Sequence, residues 1–258
     1  MEDLIQTERW LAAAEILLMV ALLMVMARRG LTSTYRIFFG FMALQSAVRL
    51  ASLFLNPLGN RSAYLYFYTT PVLWVLSILV VLELYENVLV DFPGILSFGK
   101  KVITGTFAVA VLISLLTAGI DWNVSGHGFR KIFYFTFSER CITTAEAIFL
   151  FAMTVFLRWF PAPLKRNVHV HTVVLFLYFL MKSVSLLFFN LAGDPVAMSV
   201  NLVILAASCI CVAGWIWQFS PETDDKKITY RKVDPDEENR ILGGLRAIND
   251  ALLGTAKR

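Results

Sequence analysis

The chain has 258 residues, of which 58% are hydrophobic and only 16% charged, and its mean hydropathy is +0.67. Soluble domains average about 45–50% apolar and about 25% charged residues. This composition excludes a disordered chain, a collagen-like chain and an ordinary soluble enzyme. The formal net charge of +4 is dispersed along the sequence, which argues against a nucleic-acid partner.

Each helix that crosses a bilayer needs about 20 mainly apolar residues, because the hydrocarbon core is about 30 Å thick. The apolar runs here are continuous rather than alternating, which predicts helices and not barrel strands. Seven spans are expected, at 11–27, 37–55, 66–88, 102–120, 141–160, 170–191 and 196–219. The first follows an acidic segment, Glu2, Asp3 and Glu8, where a signal peptide would be basic, so it reads as an uncleaved span. Tryptophans 10, 122, 159, 215 and 217 and Tyr64 stand at span ends, as an interfacial belt requires.

Basic residues mark the orientation. Arg28, Arg29, Arg36, Lys100, Lys101, Lys165 and Arg166 follow the odd-numbered spans, and the tail adds eight more between Lys226 and Arg258. The other side holds only Arg9, Arg61, Arg130, Lys131 and Arg140. The expectation is an outside N-terminus and a cytoplasmic C-terminus.

The first and fifth spans repeat one another. Thr7-Glu8-Arg9 matches Ser138-Glu139-Arg140, Ala14-Glu15 matches Ala145-Glu146, and Ala21 matches Ala152 without a gap. With one residue inserted, Arg49, Ser52, Asn56 and Gly59 align with Lys182, Ser185, Asn190 and Gly193. Ser77 aligns with Ser208 in the third and seventh spans. The expected fold is all-α and polytopic, a 3+1+3 parallel repeat. Repeat one covers about 7–90, a linker span 102–120, and repeat two about 138–219.

The charges inside expected spans include Glu15, Arg49, Glu146 and Lys182. Antiparallel hairpins bring Glu15 to the depth of Arg49, and Glu146 to that of Lys182. A charge near mid-bilayer costs about 2.5–3.5 kcal/mol on insertion scales, so these groups should pair or line a wet cavity. Two readings compete: a solute- or proton-handling site, or ion pairs that hold hairpins in register. Glu83 and Glu86 lie one turn apart at the far end of the third span. Acids there oppose the helix dipole, so an ion pair with Lys100 or Arg28 is expected, with a cation or proton site as the alternative.

No enzyme constellation occurs. His169 and His171 point in nearly opposite directions on one helix, and there is no HExxH sequence. Asn123-Val124-Ser125-Gly126 lacks a base to activate its serine. Cys141, Cys209 and Cys211 lie in apolar runs, and the last two are too close in sequence to bridge on one helix. Neither metal nor cofactor is expected.

The layout resembles, at the level of topology, the 3+1+3 transporters of the sugar-efflux and PQ-loop type, although no Pro-Gln pair occurs and Pro71 is the one span proline. That resemblance implies solute transport. The retinal proteins carry a lysine in their seventh span, and residues 196–219 contain none. The runs Glu83-Leu84-Tyr85 through Phe92-Pro93-Gly94 and Pro161 through Asn167 resemble bacterial seven-span proteins. They imply a bacterial inner membrane and no particular activity.

After Ser220 the chain turns polar. Residues 220–235 read as a linker and 236–258 as a cytoplasmic amphipathic helix, capped by Asp234 and opened by Pro235. Ile241, Leu245, Ile248 and Leu252 form an apolar seam. A helix this short is marginal in water, so the seam is expected to dock on a protein partner, a second copy, the bundle or lipid. The chain therefore reads either as a transporter-like solute or ion handler, or as a signalling or assembly subunit.

Overall fold

The computed structural model describes residues 2–55, 60–88, 105, 130–159, 164–192, 196–219, 227–228, 243–244, 246–248 and 250–251. Six long helices dominate: α1 (Glu2–Arg28), α2 (Arg36–Phe54), α3 (Asn60–Val88), α4 (Arg130–Trp159), α5 (Arg166–Ala192) and α6 (Ala197–Gln218). Several run past the expected spans. α4 begins eleven residues before the expected span, and in that added stretch Phe135 packs on α3. Of the expected fourth span, 102–120, only residue 105 is described.

Five stretches are long and apolar enough to cross a membrane: Gln6–Arg28, Arg36–Phe54, Tyr64–Val88, Arg166–Phe189 and Met198–Gln218. The apolar length of α4 is interrupted by Glu139, Arg140 and Glu146. Large apolar side chains face outward on every helix, among them Leu17, Phe54, Tyr68, Phe151, Phe188 and Ile210. In water such a surface would aggregate; in lipid it is the required one. The chain is a multi-pass membrane protein.

The helices close into a ring in chain order. α1 packs on α2 and α6, α2 on α3, α3 on α4 and α5, α4 on α5, and α5 on α6. The α1–α2 connection is short and specific. Leu31 N–H donates to Met26 O at 3.1 Å and Gly30 N–H to Ala27 O at 3.3 Å, the paired bonds of a Schellman ending. Gly30 has φ +69°, a conformation that costs a residue with a Cβ roughly 1–2 kcal/mol. Leu31, next in sequence, is buried and seats the turn.

The first turn of α2 has no cap from its own segment. Instead Glu83 of α3 accepts from Ile37 N–H at 2.8 Å and from Phe38 N–H at 3.0 Å. Among the described residues Glu83 sits on a helix N-terminus and not on Arg28; Lys100, the other expected partner, lies outside the described residues. The orphan amides and the positive end of the dipole satisfy the acid as a cation would. Glu86, one turn on, is exposed.

At this basic end of the bundle a group of rings joins α2, α5 and α6. His171 stands 4.4 Å from Phe38, 5.3 Å from Tyr35 and 5.7 Å from both Trp215 and Phe219. Tyr35 stacks on Phe219 at 5.6 Å. All five are essentially buried. Nearby, Leu164–Lys165 (β1) pairs antiparallel with Lys227–Ile228 (β2), so the expected linker is tied to the α4–α5 connection.

Glu83→Ala removes two charge-assisted bonds and should destabilise the protein by about 2 kcal/mol. Glu83→Gln, which keeps one acceptor, should lose about half as much. The midpoint of thermal unfolding in detergent measures both.

Candidate functional site

The half of the bundle away from the basic end contains a cavity of about 240 Å³. It lies between α2, α3, α4, α5 and α6, and its lining includes Gln45, Arg49, Tyr66, Thr70, Trp74, Ser77, Glu139, Thr143, Tyr178 and Lys182. Drug-sized ligands occupy roughly 300–1,000 Å³, so this space suits a smaller molecule. Its position follows from local sequence. Gln45 and Arg49 are one turn apart on α2, as Tyr178 and Lys182 are on α5, so both pairs present the same face. On α3, Pro71 has no N–H to give to Phe67 O, and this break lies between Thr70 and Trp74. Phe135 of α4 packs on Tyr66, Phe67 and Trp74 and closes the wall.

Arg49 and Glu15 meet: Arg49 Nε is 3.3 Å from Glu15 Oε2. Glu15 is fully buried, whereas a third of the Arg49 side chain is exposed. The contact is an ion pair and not a hydrogen bond, since both Glu15 carboxyl oxygens are buried without a hydrogen-bond partner, and it leaves the terminal nitrogens of the guanidinium fork.

Lys182 does not take Glu146 as its partner. Its Nζ is 2.7 Å from Glu139 Oε1, one heptad earlier on α4. The two carboxylates are seven residues apart on one stripe of α4, so sequence spacing allows either, and the axial offset of the two helices selects the one nearer the start of α4. Glu146 is completely buried and receives the Ser77 hydroxyl at 2.6 Å. Its Oε2 has no hydrogen-bond partner. In the matching place on α1, Glu8 Oε1 accepts from Asn201 Nδ2 at 2.5 Å.

Several groups at the cavity are invisible to charge counting. Gln45 Nε2 donates to Tyr178 OH at 3.2 Å, joining α2 to α5. Gln45 Oε1 and Trp74 Nε1 are buried without hydrogen-bond partners, one an acceptor and one a donor. A sequence signal for the first existed: Gln45 and Tyr178 are 133 residues apart, the register that aligns Arg49 with Lys182.

The remaining expected sites are dispersed. Glu83 is committed to α2 at the opposite end, and Glu86 is apart from the cavity. His171 is enclosed by rings, with Nδ1 buried and unbonded. Among the described residues no group of three or more His, Cys, Asp or Glu has the placement to hold a metal. Of the tail seam, Ile248 is exposed; Ile241, Leu245 and Leu252 lie outside the described residues.

The arrangement assigns Arg49 to one carboxylate and not its neighbour. Arg49→Met should destabilise the protein by more than the roughly 1 kcal/mol of an exposed pair and less than the roughly 3–5 kcal/mol of a fully buried one. Adding Glu15→Gln should recover most of that loss, and adding Glu8→Gln should recover none. Double-mutant thermal unfolding reads the difference. In comparisons with known proteins, no family model, no curated protein and no solved structure matches the chain.

Proposed function

We propose that this protein binds and passes a small polar solute through the cavity between two parallel three-helix repeats. The full arrangement is the seven-span, 3+1+3 one, with the N-terminus outside and the basic end in the cytoplasm of a bacterial inner membrane. The ring order supports the duplication. It places α1 opposite α4, α2 opposite α5 and α3 opposite α6, which is what a twofold axis along the membrane normal requires. The Gln45–Tyr178 bond then joins equivalent positions across that axis.

The observation that carries the solute reading is the pair of unpartnered atoms at the cavity, Gln45 Oε1 and Trp74 Nε1. Buried polar groups are normally bonded, and leaving one unpaired costs about 1–3 kcal/mol. A solute with both a donor and an acceptor relieves both. The Arg49 fork adds preference for an anionic oxygen group, and the rings of Tyr66, Trp74 and Tyr178 supply apolar walls. The ligand class is a small organic acid that also carries an amino or hydroxyl group. The reading is non-enzymatic: the charged side chains serve each other and the solute.

The exposed Ile248 supports a second reading. In it the intramembrane charges are structural, and the tail helix recruits a partner in signalling or assembly.

The reconstituted protein should be stabilised by L-serine or glycolate and not by ethylene glycol. Gln45→Leu and Trp74→Phe should each weaken that binding about tenfold, the worth of one hydrogen bond. Absence of stabilisation across the panel removes the solute reading. For the second reading, a form ending at Pro235 should lose a stoichiometric partner that the full chain retains on purification from native membranes. Mass spectrometry of the two preparations separates the cases.

A further inference from the structure

Among the described residues, two cations stand against three carboxyl groups near the cavity, the buried Glu15 and Glu146 and the partly buried Glu139. Arg49 stands against Glu15 and Lys182 against Glu139. Glu146 is left with a hydroxyl, in a place with no access to solvent. A carboxylate buried with so little compensation costs several kcal/mol, and such a group neutralises by holding its proton.

The hydrogen bonds at Ser77 agree with that count. Its Oγ lies 2.6 Å from Glu146 Oε1 and also 2.9 Å from Trp74 O. A serine hydroxyl has one hydrogen and can serve one of these acceptors at a time. If it serves Trp74 O, the short contact to Glu146 needs a hydrogen from the carboxyl. A protonated Glu146 satisfies both contacts with two hydrogens; an ionised one takes the Ser77 hydrogen and leaves Trp74 O with its helix bond from Ile78 N–H alone. Ser77 also lines the cavity, so the buried acid reaches that space through one hydroxyl.

The first half of the bundle shows the other pairing. There the basic residue at the matching position, Arg49, takes the inner carboxylate Glu15, while the outer Glu8 bonds Asn201. In the second half, Lys182 takes the outer carboxylate, Glu139. The two repeats thus hold the same three-residue set with the cation one heptad apart, a rise of about 10 Å along the helix.

We propose that Glu146 is an exchangeable proton site coupled to the cavity, and that loss of its proton draws Lys182 inward from Glu139. Glu146 passes its hydrogen to Ser77 Oγ, and Ser77 releases its own hydrogen to water or solute in the cavity. The charge left on Glu146 is then matched by the Lys182 ammonium, in the manner of Arg49 on Glu15. The ionisable and polar groups that face this exchange are Ser77 and Tyr66 of α3, Glu139 of α4, and Lys182 and Tyr178 of α5. The coupling deepens the solute reading and rests on it for its use, since it gives the cavity a proton to move with or against the solute.

Infrared difference spectroscopy of the full chain in lipid, stepped from mildly acidic to mildly alkaline pH without solute, tests the site directly. The expected result is a carboxylic C=O band that disappears as pH rises. It should be absent in Glu146→Gln, retained in Glu15→Gln and shifted in frequency in Ser77→Ala. Lys182→Met should move the disappearance to higher pH, because the charged form loses its cation. Glu139→Gln should move it to lower pH, because Lys182 is released. A band that survives Glu146→Gln, or no such band in the unmodified chain, overturns the proton site. A band insensitive to Lys182→Met overturns the transfer. Should L-serine or glycolate still bind while the band is missing, the coupling fails and the solute reading stands.

Discussion

Burying a carboxylate among apolar helices is the constraint around which this bundle is arranged. Water would solvate such a group for nothing, but lipid and packed side chains cannot. Each buried or partly buried acid named here meets a different solution. Glu15 has a guanidinium, Glu139 an ammonium, Glu83 the open amides of a neighbouring helix, and Glu146 a serine hydroxyl. Because each partner sits on another helix, satisfying the charges also sets the axial stagger of α1 with α2, α3 with α2, and α4 with α3 and α5. Apolar packing in lipid gives little reason to prefer one stagger over another, since lipid tails are as apolar as the side chains. The polar contacts supply that preference.

Much of this is legible in the sequence. Continuous apolar runs announce membrane helices because the bilayer allows few alternatives. Glu15 and Arg49 are readable as a pair because both belong to one hairpin joined by a short turn, which leaves little freedom in their relative depth. The turn is also readable, since Gly30 stands where a helix ending needs a positive φ.

The limits of that reading have a physical origin. Lys182 faces two carboxylates on one stripe of α4, and choosing between them needs an interhelical offset that residue spacing does not contain. Glu83 looks like an acid in an unfavourable place, because the α2 terminus that neutralises its position is 46 residues away. The neutral members of the cavity, Gln45, Trp74 and Thr70, carry no charge to stand out against an apolar background. Of the three, only Gln45 becomes visible when the 133-residue register of Arg49 and Lys182 is followed to Tyr178.

The ring group at the basic end makes the two halves of the bundle mechanically unequal. Around the cavity, helices meet through hydroxyls, amides and ion pairs. Around His171 they meet through five interleaved rings from α2, α5, α6 and their ends, which cannot separate singly. Under the solute reading proposed above, a solute held beside Arg49 would cross the bundle only if this ring group parted as a unit, which would put the slow step of net passage at Phe38, His171 and Trp215, apart from the polar groups of the cavity.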